Sequence, residues 1–108
     1  MKILYALALL VPLVSFGGEG GGVVTDLSVL TTENLVFFRV AGRVKETPRC
    51  NEEEMFAINT STIGGQEQLK LLLLAFEKKY PVKVTGLNTC PGFWKVENVK
   101  EITVSAND

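Results

Sequence analysis

EEEMFAINTSTIGGQEQLKLLLLAFEKKYPVKVTGL, residues 52–87, carries the change of period that decides the fold. Its first eight residues, Glu52–Asn59, end in a β-branched and aromatic run and read as a strand. Asn59, Thr60, Ser61 and Thr62 then offer oxygens that accept hydrogen bonds from the unpaired amides of a helix start. The helix is predicted from Ile63 or Gly64 to Tyr80, because Leu69, Leu72, Leu73, Phe76 and Tyr80 recur at three- and four-residue spacing and make one apolar stripe. Pro81 ends it, since the residue before a proline is pushed out of helical geometry, and Val82–Leu87 returns as a strand.

Working outward, Gly42–Asn51 mixes Gly, Pro48 and charges and reads as a loop. Before it, Val23–Leu30 and Leu35–Ala41 are strand-like runs around Thr31, Thr32, Glu33 and Asn34, a hairpin with a four-residue turn. In the second run Val36, Phe38 and Val40 share one face while Leu35, Phe37 and Arg39 share the other, so both faces carry apolar groups and the strand is central or curved. On the far side Asn88–Lys95 is a loop holding Cys90, Pro91 and Trp94, and Val96–Val104 is a last strand. Three strands, one helix and two strands predict a mainly β domain over residues 23–108. The order fits a five-stranded OB-type Greek-key barrel with its helix between strands three and four. Gly42 and Gly86 suit strand bends that closure needs. A flat α+β sandwich is the second choice. The run GGEGGG, residues 17–22, has no apolar side chain to bury and is expected to be flexible.

The chain opens with Lys2 and an apolar run, Ile3–Phe16, which is short for a permanent membrane span, where about 20 residues are needed. Small residues at Ser15 and Gly17 suit a leader peptidase, so residues 1–17 read as a signal peptide cut after Gly17, with no membrane insertion of the mature chain and a periplasmic or secreted destination. An exported chain meets oxidising conditions, which favours a disulfide between its two cysteines, Cys50 and Cys90, over free thiols or a metal site. The closed loop of about 40 residues would contribute about 4 kcal/mol by the chain-entropy relation. Eleven Lys and Arg oppose twelve Asp and Glu. Arg39, Arg43, Lys45 and Arg49 are answered by Glu46 and Glu52–Glu54, so no basic stripe for nucleic acid exists in the sequence.

From Phe56 to Val104 the chain resembles small exported proteins of Gram-negative bacteria related to the B subunit of subtilase-type cytotoxins. The resemblance is carried by AINTST ahead of the helix, the Gly before a Leu-rich helix that ends in basic residues, VKVTG, and the Thr89-Cys90 loop followed by Trp94 and a final valine-based strand. It covers about half of the chain. It implies an OB-type barrel, an intrachain Cys50–Cys90 disulfide and, in the toxins, a five-membered ring of subunits that binds sialylated glycans. None of the toxins' sugar-binding residues is carried over to a position here.

Histidine is absent, which removes the commonest general base at neutral pH, and no nucleophile with a nearby base stands out, so no enzymatic activity, cofactor or metal is expected. Glu52, Glu53 and Glu54 lack the spaced Asp and Gly of a calcium loop and read as a solvated strand edge. Gly64 and Gly65 open the helix without a following Lys-Ser/Thr pair, which points to a tight turn rather than a phosphate loop. Asn59-Thr60-Ser61 matches a glycosylation acceptor but is explained by capping. Trp94 suits stacking on a sugar ring or, alternatively, packing against the disulfide; Phe37 and Arg39 lie on the face that OB-type barrels present to ligands. Leu71 and Leu74 fall opposite the core stripe, near Lys78, because each residue advances about 100°. They mark a face for a homo-oligomer, a pentamer in the related toxins. The reading is an exported binding module for a glycan or an extracellular protein, with a periplasmic structural or regulatory interaction module as the alternative.

Overall fold

The structure is a computed structural model and describes residues 17–106. The leader run Ile3–Phe16 lies outside the described residues. Six strands and one helix follow in the order β1 Glu19–Gly22, β2 Val24–Leu30, β3 Leu35–Val40, β4 Phe56–Asn59, α1 Ile63–Lys78, β5 Val82–Gly86 and β6 Glu97–Val104. They form one mixed sheet in the order β1-β5-β6-β4-β3-β2, with β4 and β6 parallel and every other pair antiparallel.

β1 and β2 stand at opposite ends of that order, yet only Val23 separates them in the chain. The sheet therefore has to roll until its two edges meet. Backbone bonds seal the seam: Gly42 N–H donates to the Gly21 carbonyl at 2.8 Å, and Ala41 N–H to the Val23 carbonyl at 2.9 Å. The result is a curled, barrel-like sheet, which overturns the flat sandwich.

The sixth strand corrects the sequence reading. The glycine run, expected to be flexible, pairs with β5 in the register Glu19↔Thr85 to Gly22↔Val82. Its order comes from main-chain hydrogen bonds and close approach. A Cβ on Gly20 would lie 2.8 Å from the Phe56 ring, so the bare backbone covers a buried aromatic that a side chain would displace. Two boundaries also move. Glu52–Glu54, read as part of a strand, belong to the loop before β4, and Glu54 there has a left-handed backbone with φ 55°. The helix stops at Lys78 rather than Tyr80, because Lys79 takes φ 58° and the next amide, Tyr80 N–H, turns back to the Ala75 carbonyl at 3.0 Å.

The core lies inside the roll. Val24, Val36, Phe38 and Val40 meet Phe56, Ile58, Val82, Val84, Val99 and Ile102, and Leu72 and Ala75 of α1 close one side. Phe38 and Phe56 pack with ring centroids 5.7 Å apart. The helix stripe is narrower than its periodicity suggested. Leu72 is fully buried and Leu69 and Tyr80 are partly buried, but Leu73 and Phe76 are 46% and 42% exposed. Gly65 and Ala75 take the places of large residues because the helix sits close to the sheet.

One charged side chain is built into this interior. Glu97, the first residue of β6, has 0% exposure. Its Oε2 accepts from the Gly18 and Asn88 backbone amides, both at 2.8 Å, while Oε1 has no hydrogen-bond partner among the described residues. The carboxylate fills space that side chains would otherwise take: a Cβ on Gly86 would lie 2.1 Å from Oε2, and one on Gly18 2.5 Å from Oε1.

The paired glycines at the helix start give opposite expectations. Thr62 caps the helix, its hydroxyl oxygen accepting from Gly65 N–H at 2.9 Å. A Cβ on Gly65 would fall 1.7 Å from the Asn59 carbonyl oxygen, whereas one on Gly64 meets nothing within 4 Å. Gly64→Ala is expected to stabilise the fold by about 0.5–1 kcal/mol through helix propensity. Gly65→Ala is expected to lose more than about 2 kcal/mol through overpacking. Urea denaturation of both variants checks this, and equal effects would contradict the docking of the helix described here.

Candidate functional site

The outward face of β3 presents Leu35, Phe37 and Arg39, as the alternation of the strand requires. Two loops converge on it. Residues 41–55 precede β4 and residues 87–96 precede β6, and the Cys50–Cys90 disulfide joins them with a Cα–Cα distance of 6.2 Å. The sequence expectation of this bond is met.

Local hydrogen bonds shape each loop. Pro91 accepts from Trp94 N–H at 2.9 Å in a tight turn whose Gly92 takes φ 52°, a conformation that L side chains rarely adopt. The turn throws Phe93 fully into solvent and lays Trp94 back onto β3. On the other loop Asn51 is buried and its Oδ1 accepts from Met55 N–H at 3.2 Å. The loops are also tied to each other: Glu53 N–H donates to the Lys95 carbonyl at 3.0 Å, and Lys95 Nζ pairs with Glu52 Oε1 at 3.3 Å. That ion pair is solvent-exposed and orders the loops rather than contributing much stability.

Trp94 and Phe37 meet edge to face, with centroids 5.2 Å apart and planes at 63°. Trp94 stays 40% exposed, so one part of its indole is fixed by Phe37 and another faces water. It lies on the outside of the sheet and does not plug the interior. Arg39 stands on the same face and is held at two points, Nη2 donating to the Glu53 carbonyl at 3.1 Å and Nη1 pairing with Asp26 Oδ2 at 3.3 Å. It thus braces the loop under the aromatic pair. The structure therefore brings Phe37, Arg39 and Trp94, separated widely in sequence, onto one surface.

Two clefts flank the aromatic turn. One, of about 370 Å³, is lined by Phe37, Glu53, Met55, Phe93, Trp94 and Lys95. The other, of about 550 Å³, runs between Trp94, Phe93, Pro91 and Gly92 on one side and Leu35, Glu33 and Asn59 on the other. Both fall in the size range of small-ligand sites, and both combine an aromatic wall with a few polar groups. A further hollow of about 390 Å³ lies between the helix start and β6, lined by Ala57, Gln68 and Asn98 among others. Its Gly65 amide is already taken by Thr62, so it offers an anion little.

Phe93, Met55 and Lys95 were not singled out from the sequence. The signal for Phe93 was available: an aromatic directly after Pro91-Gly92 sits at a turn, and a turn directs side chains outward. Met55 and Lys95 join the site through loop geometry that only the crosslinked fold reveals. Glu52 pairs with Lys95, and Glu53 contributes its backbone to Arg39 and Lys95. Among the described residues no three His, Cys, Asp or Glu side chains are gathered to hold a metal ion.

Away from the aromatic site, Leu71 and Leu74 are 37% and 42% exposed and Lys78 is exposed, as their opposition to the core stripe predicted. Leu73 and Phe76, on the margin of the core stripe, and Ile63 at the helix start are exposed as well.

Removing the ring beneath the indole tests the geometry. Phe37→Ala is expected to cost about 3 kcal/mol or more of stability, including the edge-to-face contact. It should also shift the emission of Trp94, the only tryptophan, to longer wavelength. Unchanged emission would contradict the pairing. No protein-family model, curated protein or solved structure matches this chain, so its reading rests on these residues and their geometry.

Proposed function

We propose that the chain is an exported, non-enzymatic binding module with an OB-type barrel, and that it takes a glycan on the Phe93–Trp94 turn. The carrying observation is a partly exposed indole, oriented by Phe37 and anchored by a disulfide, beside clefts whose rims carry Glu33, Asn59, Glu53 and Lys95. A sugar ring offers an apolar face to an aromatic plane and hydroxyls to polar neighbours, and this surface has both. The disulfide indicates an oxidising, non-cytoplasmic environment. No helix among the described residues is long and apolar enough to cross a membrane. The periplasm or the extracellular medium is the destination that the leader reading adds.

The OB assignment rests on strand order. Support comes from taking β1 and β2 as one long strand bent at Val23: the order that remains, with β4 parallel to β6 and the helix between β4 and β5, is the one expected of a five-stranded OB barrel. The resemblance to the B subunit of subtilase-type cytotoxins points the same way for both fold and ligand class. Absence of histidine and of a nucleophile–base pair in the sequence supports a non-enzymatic role.

The alternative, a periplasmic structural or regulatory interaction module, is favoured by one observation, the exposed pair Leu71 and Leu74 on the side of α1 away from its core stripe. That face also suits a homo-oligomer.

Glycan-array binding by the purified protein is expected, with Trp94→Ala and Phe93→Ala each lowering the signal at least tenfold and Leu74→Glu leaving it in place. A blank array, together with a protein partner lost on Leu71→Glu or Leu74→Glu, would replace the glycan reading by the interaction reading. Light scattering is expected to give a mass above that of the monomer.

A further inference from the structure

Glu97 is the least explained group in the molecule. A fully buried carboxylate is costly unless it is paired and hydrogen-bonded. Here two backbone amides serve Oε2, none serves Oε1, and no Lys or Arg forms an ion pair with it among the described residues. The groups that crowd Gly18 from residues 41–55 are the Thr47 methyl and the Lys45 carbonyl, neither of them a cationic head. Among the described residues, this buried carboxylate therefore has no cationic partner.

The nitrogen that touches the carboxylate supplies one. Gly18 N lies 2.8 Å from Oε2, and the peptide bond it belongs to, Gly17–Gly18, is the bond that the Ser15-Phe16-Gly17 pattern offers to a leader peptidase. Hydrolysis there gives the water oxygen to the departing Gly17 carboxylate and both water protons to the Gly18 nitrogen. A single amide N–H becomes an α-ammonium with three N–H donors at neutral pH. One can keep the bond to Oε2 and a second can turn to Oε1, which adjoins the same Gly18 Cα closely enough that a Cβ would lie 2.5 Å away.

We infer that Gly17–Gly18 is the processing site and that the α-ammonium of Gly18 forms a buried ion pair with Glu97, so that leader removal completes the interior of the barrel. The neighbouring architecture fits such a site. Gly18 and Gly86 leave room for the carboxylate on two sides, and Gly18's own carbonyl accepts from Gly86 N–H at 2.8 Å, which fixes the new terminus at the head of β1. The glycine run thus acquires a second purpose: it carries the charged terminus inward beside β5 without a side chain in the way. A buried terminus also accounts for a carboxylate at position 97 when the other buried residues of β6 are Val99 and Ile102.

This inference rests on the exported reading through the leader alone and is independent of what the aromatic site binds. Its test uses the full chain expressed with its leader and purified after export. Intact mass and N-terminal sequencing are expected to give Gly18 as the first residue. An uncleaved chain would overturn both the export reading and the ion pair; a cut elsewhere would overturn only the ion pair. On the processed protein, acylation of the α-amine by an amine-selective reagent at neutral pH is expected to be at least tenfold slower in the folded than in the urea-unfolded state, with the lysines as internal controls. Equal rates would overturn the inference without touching export or ligand binding. A chain acetylated at Gly18 while unfolded and then refolded should melt lower by about 5–10 °C. In Glu97→Gln, where that variant folds, acetylation should shift the melting point by less than about 2 °C, and an unchanged melting point on acetylating the wild type would overturn the pair.

Discussion

The Cys50–Cys90 bond is the constraint on which the candidate site depends. The loops it joins, residues 41–55 and 87–96, hold no regular strand or helix, and their other ties include the Glu53–Lys95 backbone hydrogen bond and the exposed Lys95–Glu52 ion pair. Bonds of that kind contribute only about 0.5–1.5 kcal/mol each, whereas closure of a 40-residue loop contributes about 4 kcal/mol in the chain-entropy picture. The crosslink therefore dominates the positioning of the turn that carries Phe93 and Trp94. β3 adds a floor through Phe37, and Arg39 adds a brace through the Glu53 carbonyl. Rigid presentation of an aromatic surface suits the binding role proposed for it, because ordering costs met on folding are not met again on association.

The second constraint is closure of the sheet. A chain with only Val23 between the two edge strands has no flat solution, and the core of Val36, Phe38, Phe56, Ile58 and Val84 fills the resulting roll. Closure also protects the edges that an open sheet would expose to other chains. It brings β1, a strand without side chains except Glu19, over Phe56 and beside β5. The same geometry places Gly18 against Glu97, so the seam of the barrel and the buried carboxylate belong to one structural problem. The parallel contact of β4 with β6 starts at Phe56 and Glu97, directly beside that seam.

Much of this was legible in the residues. The helix and a cap among Asn59–Thr62 follow from local chemistry, as does the hairpin around Thr31–Asn34, closed by Glu33 N–H on the Leu30 carbonyl at 3.2 Å; the helix end moved from Tyr80 to Lys78 because Lys79 turns left-handed ahead of Pro81. The disulfide followed from compartment rather than from geometry. What was not legible depended on other parts of the chain. The glycine run looked structureless because sequence patterns register side chains, and its order comes from main-chain bonds to β5. Leu73 and Phe76 looked buried because periodicity marks an apolar stripe without saying how wide a strip the partner sheet covers; close docking through Gly65 and Ala75 leaves them at the margin. Glu52–Glu54 looked like a strand edge, but Glu54 adopts a left-handed backbone and the strand begins only at Phe56. For the site, Phe37 and Arg39 shared a face by alternation alone, whereas their union with Trp94 needed the crosslink.

Hydrogen exchange of the oxidised and the reduced protein, followed residue by residue, tests the dominance of the crosslink most directly. On reduction, protection should fall first and furthest at Glu53, whose amide ties one loop to the other, and at Trp94 and Met55, whose amides shape each loop from within, while β5 and β6 keep their protection under native conditions. Equal protection of those amides in both redox states would contradict the account, since the loops and the aromatic turn would then hold their places without the covalent link.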